Sequence, residues 1–106
     1  MESYSFSEVV DYFRDVGCHI SNFTSCSELL CGNFKVGWVS VENLLEHDDS
    51  LSSFIVENKS TSFGFDYYSV PIVVDGAGYK VFEGYERVLM HVQFNDAFIL
   101  AFILYD

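Results

Sequence analysis

The chain is short of positive charge. Its 106 residues include only 5 Lys and Arg against 16 Asp and Glu, a formal net charge of −11. Nucleic acids are held chiefly by neutralising phosphates with Lys and Arg. Arg14, Lys35, Lys59, Lys80 and Arg87 are scattered and form no stripe, which excludes direct nucleic-acid binding as the expected activity. The same shortage speaks against anionic membrane surfaces. There is a single Pro, so no long linker is expected. The three cysteines, Cys18, Cys26 and Cys31, are an odd number without paired Cys-x-x-Cys spacing. Neither a disulfide framework nor a zinc site is expected. The longest apolar run, Ala97–Tyr105, is nine residues, far below the roughly 20 that a membrane helix needs. The first residues, Met1-Glu2-Ser3-Tyr4, lack the basic and apolar regions of a signal peptide. A reducing cytoplasm is the expected compartment, and the sequons at Asn22 and Asn58 are then chance matches.

Aromatic residues are plentiful. Half the chain is hydrophobic, with 11 Phe and 7 Tyr. A single domain over 1–106 is expected, with a real core and no disorder. A negative field of this size steers basic surfaces towards the protein; it also keeps an aromatic-rich domain soluble.

Ser5-Phe6-Ser7-Glu8 has the form of a capping box. Phe6, Val9, Val10, Phe13 and Val16 follow at helical steps, and Gly17 suits the C-terminal cap. The spacing predicts a helix over 6–16 with Glu8, Asp11 and Asp15 on its polar face. Such a row imitates a line of phosphates, and is also an ordinary solvated face. Ser25–Glu28 opens a candidate short helix ending at Gly32. Val36–Val39 reads as a strand, Ser40 as the cap of a helical turn, and His47–Ser50 as a connector before a helix around Leu51, Phe54 and Ile55. Tyr67–Val74 has strand composition, Asp75–Gly78 is a turn, and Tyr79–Phe82 is the returning strand. From Gly84 the period becomes helical (Tyr85, Val88, Leu89, Val92) and Asn95-Asp96 ends it. Ala97–Tyr105 then reads as a buried central strand.

Two blocks within this stretch carry a resemblance. They are Val70-Pro71-Ile72-Val73-Val74-Asp75-Gly76 and Tyr79-Lys80-Val81-Phe82-Glu83-Gly84-Tyr85-Glu86-Arg87-Val88-Leu89. Together they resemble the central motif of the ParB/sulfiredoxin superfamily, a strand after Pro, a Gly turn, a second strand and a Gly-x-x-Arg opening a helix. Trp38–Leu45 resembles the family's opening strand and helical turn, and Asp96–Ile103 its closing strand. The resemblance covers about residues 36–106 and leaves 1–35 as an N-terminal helical extension. It implies an α+β fold, a small mixed sheet flanked by short helices with an extra N-terminal helix. It also implies a possible phosphate turn at Gly84, Glu86 and Arg87. Tyr85 and Glu86 stand where the reactive members carry Cys and His, so catalysis is not implied.

Other chemistry is sparse. His19, His47 and His91 are far apart, and no Walker loop, dinucleotide fingerprint or nucleophile elbow occurs. Glu46, His47, Asp48 and Asp49 cluster oxygen donors but lack calcium-loop spacing. No catalytic residue, metal or cofactor is expected. Three functions fit these features. The first is a small acidic inhibitor or immunity protein, of the kind found in phages and mobile elements. It would bind a basic, nucleic-acid-handling partner through Glu8, Asp11, Asp15, Glu46, Asp48 and Asp49. The second is a nucleotide-binding or nuclease-like domain using the Gly84–Arg87 turn. The third is a self-associating module using the aromatic segment Phe63, Phe65, Tyr67 and Tyr68. The oligomeric state is left open.

Overall fold

The computed structural model describes residues 3–18, 32–61 and 68–105. In chain order the elements are β1 (Tyr4–Ser5), α1 (Phe6–Asp15), β2 (Asn33–Ser40), α2 (Val41–His47), α3 (Asp49–Glu57), β3 (Ile72–Asp75), β4 (Val81–Glu83), α4 (Tyr85–Gln93) and β5 (Phe98–Tyr105). The strands form one mixed sheet in the order β1-β2-β5-β3-β4. Only β3 and β5 run parallel; the other pairs are antiparallel. The protein is therefore α+β.

The apolar run near the C-terminus takes the middle of the sheet, pairing with β2 along its whole length and with β3 on its other edge. Both of its faces contribute to a core through Ile99, Ala101 and Phe102, but the strand is not buried throughout as expected: Phe98 and Tyr105 are exposed. Ile99 and Ala101 join Val39, Ile72 and Val74 on one face, beneath Val41, Leu44, Leu51 and Val88 from α2, α3 and α4. On the other face Phe102 joins Phe34 and Val73 beneath Val9, Phe13 and Cys18. The second core is rich in edge-to-face aromatic contacts, Tyr12 and Phe13 each standing 5.3 and 5.8 Å from Phe102.

Local signals account for most of the element ends. Ser5 Oγ accepts the Glu8 amide at 3.2 Å and Glu8 Oε1 accepts the Ser5 amide at 3.0 Å. The capping box therefore closes, and Gly17 takes a positive φ after the helix. Ser40 caps α2 through the Asn43 amide. Gly84 has φ 112°, and a Cβ there would lie 2.5 Å from Ile72 Cγ2. The β4–α4 corner thus requires glycine for both conformation and space.

The structure departs from the sequence reading in four places. The 35/36 boundary falls inside β2, which begins at Asn33, and β1 pairs with its first residues. The N-terminal part therefore supplies, besides the expected helix, an edge strand and four of the six buried residues of one core. The strand expected over 67–74 begins to pair only at Ile72, after Pro71, whose nitrogen has no hydrogen to donate. The returning strand is displaced to Val81–Glu83 because Tyr79 adopts φ 57° to close the turn on Asp75. The 47–50 connector shrinks to Asp48 alone. Residues 25–31 of the helix expected to end at Gly32, and the aromatics Phe63, Phe65 and Tyr67, lie outside the described residues. Among the described residues, no helix is long and apolar enough to cross a membrane.

Candidate functional site: an apolar sheet face with an acidic rim

The α1 polar face is as the spacing predicts: Glu8, Asp11 and Asp15 are all exposed. Arg14, the one basic residue of the helix, pairs with Asp11 at 3.3 Å and both side chains are mostly in solvent. A pair of that kind contributes little to stability and leaves the helix face strongly negative.

The second acidic group divides. Glu46 and Asp49 are exposed on α2 and α3. These helices pack on the opposite side of the sheet from α1, so the structure does not bring them to one surface with Glu8, Asp11 and Asp15. Asp48 requires a correction. It is only 6 % exposed, its Oδ1 accepts the Leu51 amide at 3.1 Å and its Oδ2 accepts the Val81 amide at 2.9 Å. Between two abutting helices the short carboxylate caps the second and ties it to β4; it is an internal fastening and no part of an outward acidic face. Among the described residues, no three His, Cys, Asp or Glu side chains are grouped to hold a metal ion.

The Gly84–Arg87 turn requires a second correction. Glu86 is exposed, but Arg87 is 4 % exposed and points into the protein. Its guanidinium donates to Cys18 Sγ at 3.4 Å and to the Pro71 carbonyl at 3.3 Å, and lies 5.7 Å from the Phe13 ring centroid. Among the described residues no carboxylate is within ion-pair distance of it, and its Nε has no partner. The groove outside the turn is walled by Phe54, Phe82, Glu83, Gly84, Tyr85 and Glu86. Two carboxylates and no arginine make that a poor seat for phosphate. Cys18 is a buried thiol. Burial pushes its thiol pKa up; Arg87 acts in the opposite sense, and Glu83 adds to the rise.

Sequence reasoning missed a cluster around His91. The imidazole is buried against α4, with Nδ1 2.8 Å from Asp96 Oδ2 and Nε2 3.3 Å from the Tyr68 carbonyl. The Tyr68 ring stacks on it at 4.4 Å, and the Tyr68 hydroxyl donates to Asp96 Oδ2. The Tyr68 hydrogen bond, and after it that of His91, hold the Asp96 carboxyl below its ordinary pKa. Tyr68 is correspondingly raised, by the Asp96 hydrogen bond first and by desolvation second. Both imidazole nitrogens face oxygen acceptors, and the group links α4, its following turn and Tyr68. Its members are spread over 28 positions, and no local spacing announces them.

A surface with no role assigned so far lies on the α1 side of the sheet. α1 packs on Phe34, Phe102 and Val73 at one end of this face, and the other end carries exposed apolar side chains. Alternation places Val36, Trp38, Phe98 and Leu100 there, Trp38 directly opposite Leu100 in the β2–β5 register. Trp38 is 68 %, Phe98 57 % and Val36 44 % exposed. Two grooves meet at Leu100. One, about 510 Å³, runs beneath α1 and is walled by Glu8, Asp11, Tyr12 and Asp15 above Val36 and Phe102. The other, about 480 Å³, runs past Trp38 and Phe98 to Tyr68, His91 and Asp96.

Comparison of the chain with protein-family models, characterised proteins and solved structures gives no match.

Proposed function

We propose that this chain is a small, non-catalytic acidic protein of the cytoplasm that binds a basic, nucleic-acid-handling protein and inhibits it, in the manner of a phage, mobile-element or immunity factor. The observation that carries this reading is the α1 edge. Glu8, Asp11 and Asp15 stand exposed in a row beside an apolar groove, with a single arginine already paired. A charged rim around an apolar centre is the usual arrangement of a protein-binding surface, the rim setting encounter and the centre setting residence time. The net charge of −11 favours approach by a basic partner and repels nucleic acid itself. The strand–turn–strand–Gly–helix order supports a degenerate ParB/sulfiredoxin-like fold as part of the proposal. The inward Arg87 speaks against phosphate chemistry at that turn.

The test is capture from host lysate on the immobilised chain at low and high salt, followed by an activity assay of what elutes. The expected result is a basic protein released by salt, whose action on nucleic acid falls when the free chain is added. Capture only of proteins that do not touch nucleic acid, or no loss of activity with a captured one, overturns the reading.

A further inference from the structure

The partner's seat can be narrowed beyond the acidic helix. We infer that the bare strip Val36–Trp38–Leu100–Phe98 is where the partner docks, and that it takes a protein segment whose apolar side chains are flanked by Lys or Arg. The inference rests on the acidic-partner reading and adds to it a place and a chemistry.

Three observations support the assignment. First, the strip is a continuation of a buried core face. Its residues follow Phe34 and Phe102 on the same side of the same strands; Val36, Trp38 and Phe98 are exposed and Leu100 is half-buried beside them. Exposed tryptophan on a rigid central pair of strands is the type of side chain that dominates binding energy when an apolar partner excludes water from it. Secondly, acid bounds both grooves: Glu8, Asp11 and Asp15 wall the first, and Asp96 closes the second. Among the described residues no Lys or Arg lines either one. A segment with apolar residues on the strip would therefore bring its own flanking cations to carboxylates at both ends. Thirdly, the same charges disfavour a second copy of the chain. A two-fold contact through this face would set Glu8, Asp11, Asp15 and Asp96 near their own symmetry mates, which costs free energy at each pair.

Trp38 is the chain's only tryptophan, so its fluorescence reports occupancy of the strip. The experiment titrates the intact chain at low salt with three tryptophan-free synthetic peptides: one alternating Leu and Lys, one alternating Leu and Glu, and an oligolysine. Binding is followed by calorimetry and by Trp38 emission. The Leu/Lys peptide should bind saturably with a blue shift; the Leu/Glu peptide should not. Trp38→Ser should weaken the Leu/Lys peptide about thirtyfold. A Glu8→Gln/Asp11→Asn/Asp15→Asn variant, which leaves the strip intact, should weaken it about tenfold and reduce its salt dependence. Oligolysine binding as tightly as the Leu/Lys peptide, with Trp38 unmoved, would overturn the seat while leaving the acidic-partner reading in place. Failure of both Lys peptides to bind would remove both. Equal binding of the Leu/Glu peptide would remove the charge argument. A blue shift on concentrating the chain alone, with a dimer in sedimentation, would assign the strip to a second copy and overturn the proposal.

Discussion

Asp48 and Val81 are 33 positions apart in the chain and share a buried hydrogen bond of 2.9 Å. The other carboxylate oxygen of Asp48 holds the first turn of α3 through the Leu51 amide. One side chain thus fastens the α2–α3 junction to the edge strand. Asp48→Ala strands two buried amides, and each such loss costs about 1–3 kcal/mol. The expected fall in unfolding free energy is about 2–4 kcal/mol, measured by urea denaturation. Asp48→Asn retains an acceptor for one amide and should fall by roughly half as much.

Arg87 should behave as an interior residue. Its guanidinium is buried without a carboxylate partner among the described residues, so replacing it with a flexible apolar chain removes a desolvation cost as well as two hydrogen bonds. Arg87→Met should change stability by less than about 1.5 kcal/mol. Arg87→Ala leaves a cavity and should cost about 2–4 kcal/mol. Nucleotides should not raise the melting temperature of the native chain; a rise that Arg87→Met abolishes would return phosphate binding to this turn.

Gly84 is the neighbouring test of the same corner. A methyl group there meets Ile72 Cγ2 at 2.5 Å and Arg87 Nη2 at 2.9 Å, at φ 112°. Conformational strain and overpacking each cost about 1–3 kcal/mol. Gly84→Ala should therefore lower the denaturation midpoint by the equivalent of about 2–4 kcal/mol, with an unchanged m-value.

The Tyr68–His91–Asp96 latch gives the acid limb of stability a definite sign. Asp96 is depressed below its ordinary 3.8 in the folded state. Its contribution is therefore fully present above that unfolded value and is lost as pH falls through the lower folded one. Asp96→Asn should flatten the loss of stability on acidification over that window. Tyr68→Phe removes the larger of the two causes, so carbon-detected titration should find the Asp96 carboxyl moved up towards its ordinary value.

The sequence was most legible where structure is local. The Ser5–Glu8 box, the Ser40 cap, Gly17 and the period of Val9 and Phe13 each depend on residues within one or two helical turns. The middle position of Ala97–Tyr105 was legible from its unbroken apolar run, but the expected full burial was not met, since Phe98 and Tyr105 are exposed. What failed depended on partners far along the chain. Asp48 looked like one more acid in a polar connector until Val81 was placed beside it. Arg87 looked like a surface cation until α1 brought Cys18 and Phe13 beneath it. The bare strip has a partial signal in Val36, Trp38, Phe98 and Leu100. Its exposure depends on which elements pack over each end of the sheet face, and that is not written in the strands themselves.

The strand order has a kinetic consequence. No hydrogen-bonded ladder links β2 to β3; each is paired to β5, which lies between them and follows both in the chain. During synthesis, β1–β2 on one side and β3–β4 on the other are complete as segments while neither yet has the neighbour that joins them. The two halves of the sheet can close only once residues 98–105 are in place between them. Folding is therefore governed by a late, long-range insertion, slow for a protein of this size and exposed to aggregation while it waits.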